Sequence, residues 1–205
     1  VRVLAFIALA LCCLSSNADG AGANQVGYIG CSNTRDSVTG YHKVVGNLNK
    51  FWPAYDTGSG AIQFWAQPTS NHYWGGYLNN IFAYGQPLIV WAQLCENVSS
   101  YAPTDYPHVQ AMLTNLHHLS PSAIVYVSAI NAYDPPLMCA DMGTDGRGYA
   151  DTVTWRDQAV MDGLASLGPA MGPLTQALTV SDRCHANPAG MQLLGNQLKG
   201  FFDGF

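Results

Sequence analysis

Near the start of the chain, Gly30-Cys31-Ser32-Asn33-Thr34 puts a serine directly after an apolar run; near its end, Ser181-Asp182-Arg183-Cys184-His185 puts a carboxylate three residues before an imidazole. A serine hydroxyl is a weak nucleophile at neutral pH and needs a neighbouring base, and that base needs a carboxylate to fix its tautomer. Ser32, His185 and Asp182 supply these three parts, so the chemistry within reach is attack on an acyl carbon. The tetrahedral intermediate of such an attack also needs hydrogen-bond donors aimed at its oxygen. The backbone amides of Ser32 and Gly60 and the side-chain amide of Asn97 are the candidates, with Gly58, Gly75 and Gly76 as rivals to Gly60. Each has a plainer reading: a structural Asp–His pair for Asp182 and His185, a turn residue for Asn97, and a turn or helix-packing role for the glycines.

These residues belong together only if successive elements bring them to one place. Apolar segments of strand length alternate with segments of helical period, which points to a parallel α/β sheet covered by helices on both faces. Strands are expected over 25–30, 51–56, 87–94, 123–130 and 177–180. Those at 87–94 and 123–130 are continuous apolar runs with β-branched residues, as strands buried on both faces should be. Helical spacing is clearest over 107–119 and 188–202, where Asn187 can cap and Pro188 suits the first turn. Further helices are expected over 38–48, 71–84 and 151–167, and 131–149 reads as a substrate-facing loop. Ligands of an open parallel sheet bind beyond the carboxyl ends of its strands, and Ser32, Gly60, Asn97, Asp182 and His185 all follow an expected strand.

The order of these residues resembles the SGNH (GDSL-like) hydrolases, whose four blocks carry Ser, Gly, Asn and Asp-x-x-His. Ser32, Gly60, Asn97, and Asp182 with His185 match them in order, across the chain from Gln25 to its end. Two departures stand out: Cys31 replaces the acid of the first block, and Cys95 and Val98 replace the outer residues of the third. The resemblance implies a three-layer α/β/α sandwich on a five-stranded parallel sheet of flavodoxin-like order 2-1-3-4-5, and hydrolysis of a carboxylic ester through an acyl-serine intermediate, with no cofactor and no metal. If that order holds, Cys31 and Cys95 follow adjacent strands and Cys139 approaches Cys184, giving the disulfides Cys31–Cys95 and Cys139–Cys184.

Residues 1–18 read as a secretory signal: Arg2, an apolar run from Val3 to Leu14, then small residues before a cleavage site after Ala18, or alternatively after Ala23. A lipid anchor at Cys12 is disfavoured by the bulky Leu11 before it. Residues 19–205 then form one domain, secreted or periplasmic, with four mature cysteines suited to two disulfides. A charged fraction of 10% and a net charge of −5 without basic blocks exclude nucleic acid as a partner. No stable membrane insertion is expected once the leader is removed, and the chain is expected to be a monomer with a small-molecule or polysaccharide ester as substrate. Trp52, Tyr55, Trp65, Tyr73, Trp74 and Tyr77 could stack on sugar rings, which favours an acylated carbohydrate over lipid or short-chain esters. They equally suit a non-catalytic protein that binds carbohydrate or another partner on the same fold. Asn97-Val98-Ser99 is also a glycosylation sequon, and a glycan there would block the donor, so a bacterial source is expected.

Overall fold

The computed structural model describes residues 23–57, 60–98, 103–136, 138–143 and 145–205. The leader read over 1–18 lies outside the described residues, as do Gly58 and Ser99. In chain order the elements are β1 (Val26–Ile29), α1 (Ser32–Val45), α2 (Ile62–Trp65), α3 (His72–Tyr84), β2 (Ile89–Gln93), α4 (Tyr106–Leu119), β3 (Ile124–Ser128), β4 (Tyr133–Asp134), α5 (Arg147–Met161), β5 (Ser166–Leu167), β6 (Leu174–Thr175) and α6 (Pro188–Phe202). Two short 3-10 turns stand at Ala140–Met142 and Gln176–Leu178.

Four strands form a parallel sheet in the order β1-β2-β3-β5, and β4 pairs with β6 in a small separate one. Along the main sheet Ile29 pairs with Ala92, Ala92 with Val127, and Val127 with Leu167. The carboxyl ends therefore finish level, and the residues that follow them share one edge. β1 and β2 are buried throughout, as expected of strands covered on both faces.

Among the described residues the sheet has four strands where five were expected, and both differences have local causes. At 51–56 the pairing stops after a single parallel bridge from Phe51 to Val26, in which the Trp52 amide donates to the Val26 carbonyl. Beyond Trp52 the chain leaves for the surface at Pro53 and Ala54, and the Tyr55 amide donates to the Tyr28 hydroxyl and not to a β1 carbonyl. The edge beside β3 is held by Ser166–Leu167, not by 177–180. That expected strand is instead a 3-10 turn followed by an antiparallel bridge from Thr179 to Ala186. The helix expected over 151–167 ends at Met161, before Gly163 with φ +69°, a conformation that stops helices, and this frees 166–167 to pair. Helix α1 begins at Ser32, well before the expected 38, while α6 has the expected bounds.

α2 packs on α3 and α4, and α4 on α5, whereas α1 and α6 pack on each other. The latter two cross at a pair of glycines: a Cβ on Gly40 would lie 1.8 Å from the Met191 carbonyl oxygen, and one on Gly195 2.2 Å from the Gly40 carbonyl carbon. Backbone thus rests on backbone, and any side chain at either position would part the helices. Because α1 starts at Ser32 and α6 starts three residues after His185, this crossing also fixes the distance between the two. Phe51, Trp91 and Phe202 fill the space between these helices and the sheet, with Phe51 edge-on to both other rings. Trp52, Trp65, Trp74 and Tyr77 form a second aromatic cluster and are fully buried.

Candidate active site

Ser32 stands at the first turn of α1, where the chain passes from strand to helix in two residues. Gly30 makes this possible with φ +152°, and a Cβ there would strike the Thr34 hydroxyl at 2.0 Å. Thr34 Oγ1 accepts the Cys31 amide at 2.9 Å and donates to Gln93 Oε1 at 2.8 Å. Gln93 Nε2 donates to Asn131 Oδ1 at 2.9 Å, and Asn131 Nδ2 to Asn33 Oδ1 at 3.4 Å. All four side chains are buried, so this ring ties together the ends of β1, β2 and β3 beneath Ser32. The Cys31–Cys95 disulfide, with Cα atoms 6.0 Å apart, adds a covalent tie between the β1 and β2 turns.

His185 arrives from the other side. Its Nε2 is 2.7 Å from Ser32 Oγ and its Nδ1 is 2.6 Å from Asp182 Oδ2. Asp182 Oδ1 accepts the amides of Cys184 at 2.8 Å and His185 at 3.0 Å, so one carboxylate both folds the turn and orients the ring. Burial raises the Asp182 pKa, but those two amides and the imidazole outweigh it and hold the group below the ordinary carboxylate value. It therefore stays ionised opposite Nδ1. Arg183 within this turn has φ +60°, an unusual conformation for a residue with a side chain. The loop is held from outside by the Cys139–Cys184 disulfide, by the Tyr133 hydroxyl donating to the Cys184 carbonyl at 2.8 Å, and by Asp36 Oδ2 accepting the Ala186 amide at 3.3 Å.

Ser32 and His185 open on a cleft of about 260 Å³ whose walls include the Cys31–Cys95 bridge, Ala61, Asn97, Ile130 and Met142. Asn97 is half-buried there, within the set that the sequence brought forward. Gly60 does not line the cleft. Its amide already donates to the Thr57 carbonyl at 3.1 Å, and a Cβ on it would lie 2.1 Å from the Gly30 carbonyl oxygen. Gly60 is therefore a close-packed turn beside Gly30, its amide committed to Thr57; Gly75 and Gly76 lie within α3. The Ser32 amide, at the positive end of a 14-residue helix, remains suited to that task.

Trp52, Trp65, Trp74 and Tyr77 are core and present no ring to a sugar; none of the six aromatic residues lines the cleft. Part of the loop expected over 131–149 does reach it, through Asp141 and Met142. Among the described residues, Cys139, Asp141 and Cys184 lie close enough to suggest a metal, but the two sulfurs are bonded to each other and offer no thiolate. Sequence reasoning missed Thr34, Gln93, Asn131, Asp36 and Glu96, the last of which also lines the cleft. Gln93 carried a signal: a lone amide inside an apolar strand has to be hydrogen-bonded. No protein-family model and no curated protein matches the chain.

Proposed function

We propose that this chain is an exported serine ester hydrolase of SGNH type, acting on carboxylic esters with short acyl groups. The observation that carries the reading is the continuous relay from Ser32 Oγ through the His185 ring to Asp182, with links of 2.7 and 2.6 Å, at the mouth of a cleft. His185 Nε2 takes the proton as Ser32 Oγ bonds to the ester carbonyl carbon. The oxyanion that forms is met by the Ser32 amide and by Asn97, and Asp182 steadies the imidazolium. Collapse breaks the bond to the alcohol oxygen, which leaves with the proton from Nε2. Water, deprotonated by the same nitrogen, then releases the acid and restores Ser32.

The cleft's modest volume and its apolar wall of Ala61, Ile130 and Met142 suit acetyl or butyryl groups better than long chains. Two disulfides fit an oxidising compartment, and among the described residues no helix is long and apolar enough to cross a membrane. Burial of the tryptophans removes the main support for a purely carbohydrate-binding protein. The test is hydrolysis of p-nitrophenyl acetate and butyrate by wild type and Ser32→Ala. Turnover by wild type alone supports the reading; equal rates in both refute it.

A further inference from the structure

Beside the catalytic cleft lies a second cavity of about 170 Å³, lined by Glu96, Val98, Pro103, Thr104, Arg147 and Asp151. Glu96 lines both, so it forms the wall between them. The Glu96 residue is only 4% exposed, and its Oε2 is buried without a hydrogen-bond partner. Leaving a carboxyl oxygen in that condition is costly, and the ester chemistry proposed above gives Glu96 no role. The Thr104 amide donates to the carboxyl group, and the Thr104 hydroxyl donates to Gln63 Oε1 at 2.8 Å. Gln63 Nε2 is likewise buried without an acceptor. An orphaned acceptor and an orphaned donor thus flank Thr104.

We infer that the second cavity is a subsite for the hydroxyl-bearing alcohol part of the ester, with Glu96 Oε2 accepting a hydrogen bond from a substrate hydroxyl. The chemistry of the walls selects this ligand class. Two carboxyl groups oppose an anion; Arg147 opposes a cation, and no aromatic ring is present to favour one. A hydroxyl both donates and accepts, and so satisfies carboxylate and guanidinium together. Burial, and then the Asp151 charge, push Glu96 up to about 7 against the pull of Arg147 and the Thr104 amide. Near neutrality it therefore exchanges between acceptor and donor at little expense. The acyl group then occupies the apolar side of the cleft, and the alcohol leaves through the polar side.

Identifying the ligand as a leaving alcohol rests on the ester-hydrolase reading, so the test has two arms. In the first, kcat/KM is measured for 6-O-acetyl methyl glucoside, glycerol monoacetate and p-nitrophenyl acetate with wild type, Glu96→Leu and Arg147→Ala. The ratio of each polyol ester to the nitrophenyl ester should fall about tenfold in both variants, as expected for loss of a charged hydrogen bond. The ester that falls further tells a sugar from a glycerol ligand. Ratios unchanged in either variant overturn the subsite; Arg147 is exposed, so its replacement does not endanger folding. In the second arm, Ser32→Ala protein is titrated with methyl glucoside and with glycerol, with and without Glu96→Leu. Binding weakened by Glu96→Leu supports the subsite even if no ester is turned over, and absent or unaffected binding overturns it even if esters are cleaved.

Discussion

The proposed nucleophile and its proposed base are held in opposite ways. Ser32 is fixed by the main chain: β1 runs into α1 through two residues, with Asn33 and Thr34 buried in a polar ring and Cys31 bonded beneath it. His185 stands on a surface turn, its side chain 36% exposed and that of Asp182 47%, in a loop that follows a 3-10 turn and not a strand of the main sheet. Its place is set by tethers: a disulfide, a tyrosine hydroxyl, and two carboxylates, one within the turn and one across from it. Damage on the nucleophile side should therefore appear as lost stability, and damage on the base side as lost turnover in a folded protein.

The largest effect is expected at Asp182. Asp182→Asn removes the charge that faces Nδ1 and permits the wrong tautomer, so kcat should fall by about 10⁴ while the far-UV spectrum is unchanged. A drop of less than tenfold would mean that the turn alone orients the ring. The two disulfides offer a sharper comparison. They close loops of 64 and 45 residues, so their effects on the unfolded chain should differ by only about 0.3 kcal/mol. Any further difference belongs to the folded protein. Paired replacement of Cys139 and Cys184 by alanine should lower kcat at least tenfold in protein that still folds, whereas replacing Cys31 and Cys95 should chiefly lower Tm. Equal losses of activity in the two double variants would erase the contrast.

Asp36 should have a smaller effect. Burial raises its pKa, opposed by the nearby His185 and Arg35 charges and the Ala186 amide, while Asp182 adds to the rise. Asp36→Asn keeps an acceptor for that amide but removes a negative charge near the imidazole. The acid limb of the kcat/KM profile should move to lower pH with a several-fold loss of kcat and little change in KM; an unmoved limb would reduce Asp36 to packing. The smallest effect concerns Glu96, on the nucleophile side. Its pKa is pushed up from 4.5 to about 7, so between those values the folded chain holds a proton that the unfolded chain has released. Stability is then lost as pH rises through that window. Glu96→Gln should match the wild-type Tm near about pH 5 and exceed it by a few degrees near about pH 8. The same Tm difference at both pH values would contradict the burial of an ionisable group there.

The contrast between the two sides also decides what the sequence could disclose. β2 and β3 lie in continuous apolar runs, and α6 has a cap, a proline and an apolar stripe, so local pattern sufficed. The residues of the relay were legible because each follows an apolar segment and carries recognisable chemistry. The base loop was misjudged in its surroundings: 177–180 looks like a strand but spends its hydrogen bonds on the turn that carries His185, through the Val180 amide and the His185 carbonyl at 2.9 Å. A two-residue edge strand such as Ser166–Leu167 has no period to detect. Asp36 and Asn131 gain their roles only through contacts with residues far along the chain, 150 positions away for Asp36 and 98 for Asn131. Gly60 fitted a motif, yet its amide was already committed to Thr57.

The central claim is that Ser32, activated by His185, forms a covalent bond to an acyl group. Diethyl p-nitrophenyl phosphate offers a direct measurement, because an activated serine attacks its phosphorus, expels nitrophenolate and retains the diethylphosphoryl group. Peptide mass spectrometry should find one diethylphosphoryl adduct, on the peptide containing Ser32, formed in step with nitrophenolate release and absent from His185→Ala. No adduct on folded wild-type protein, or an adduct on another residue, would contradict the account.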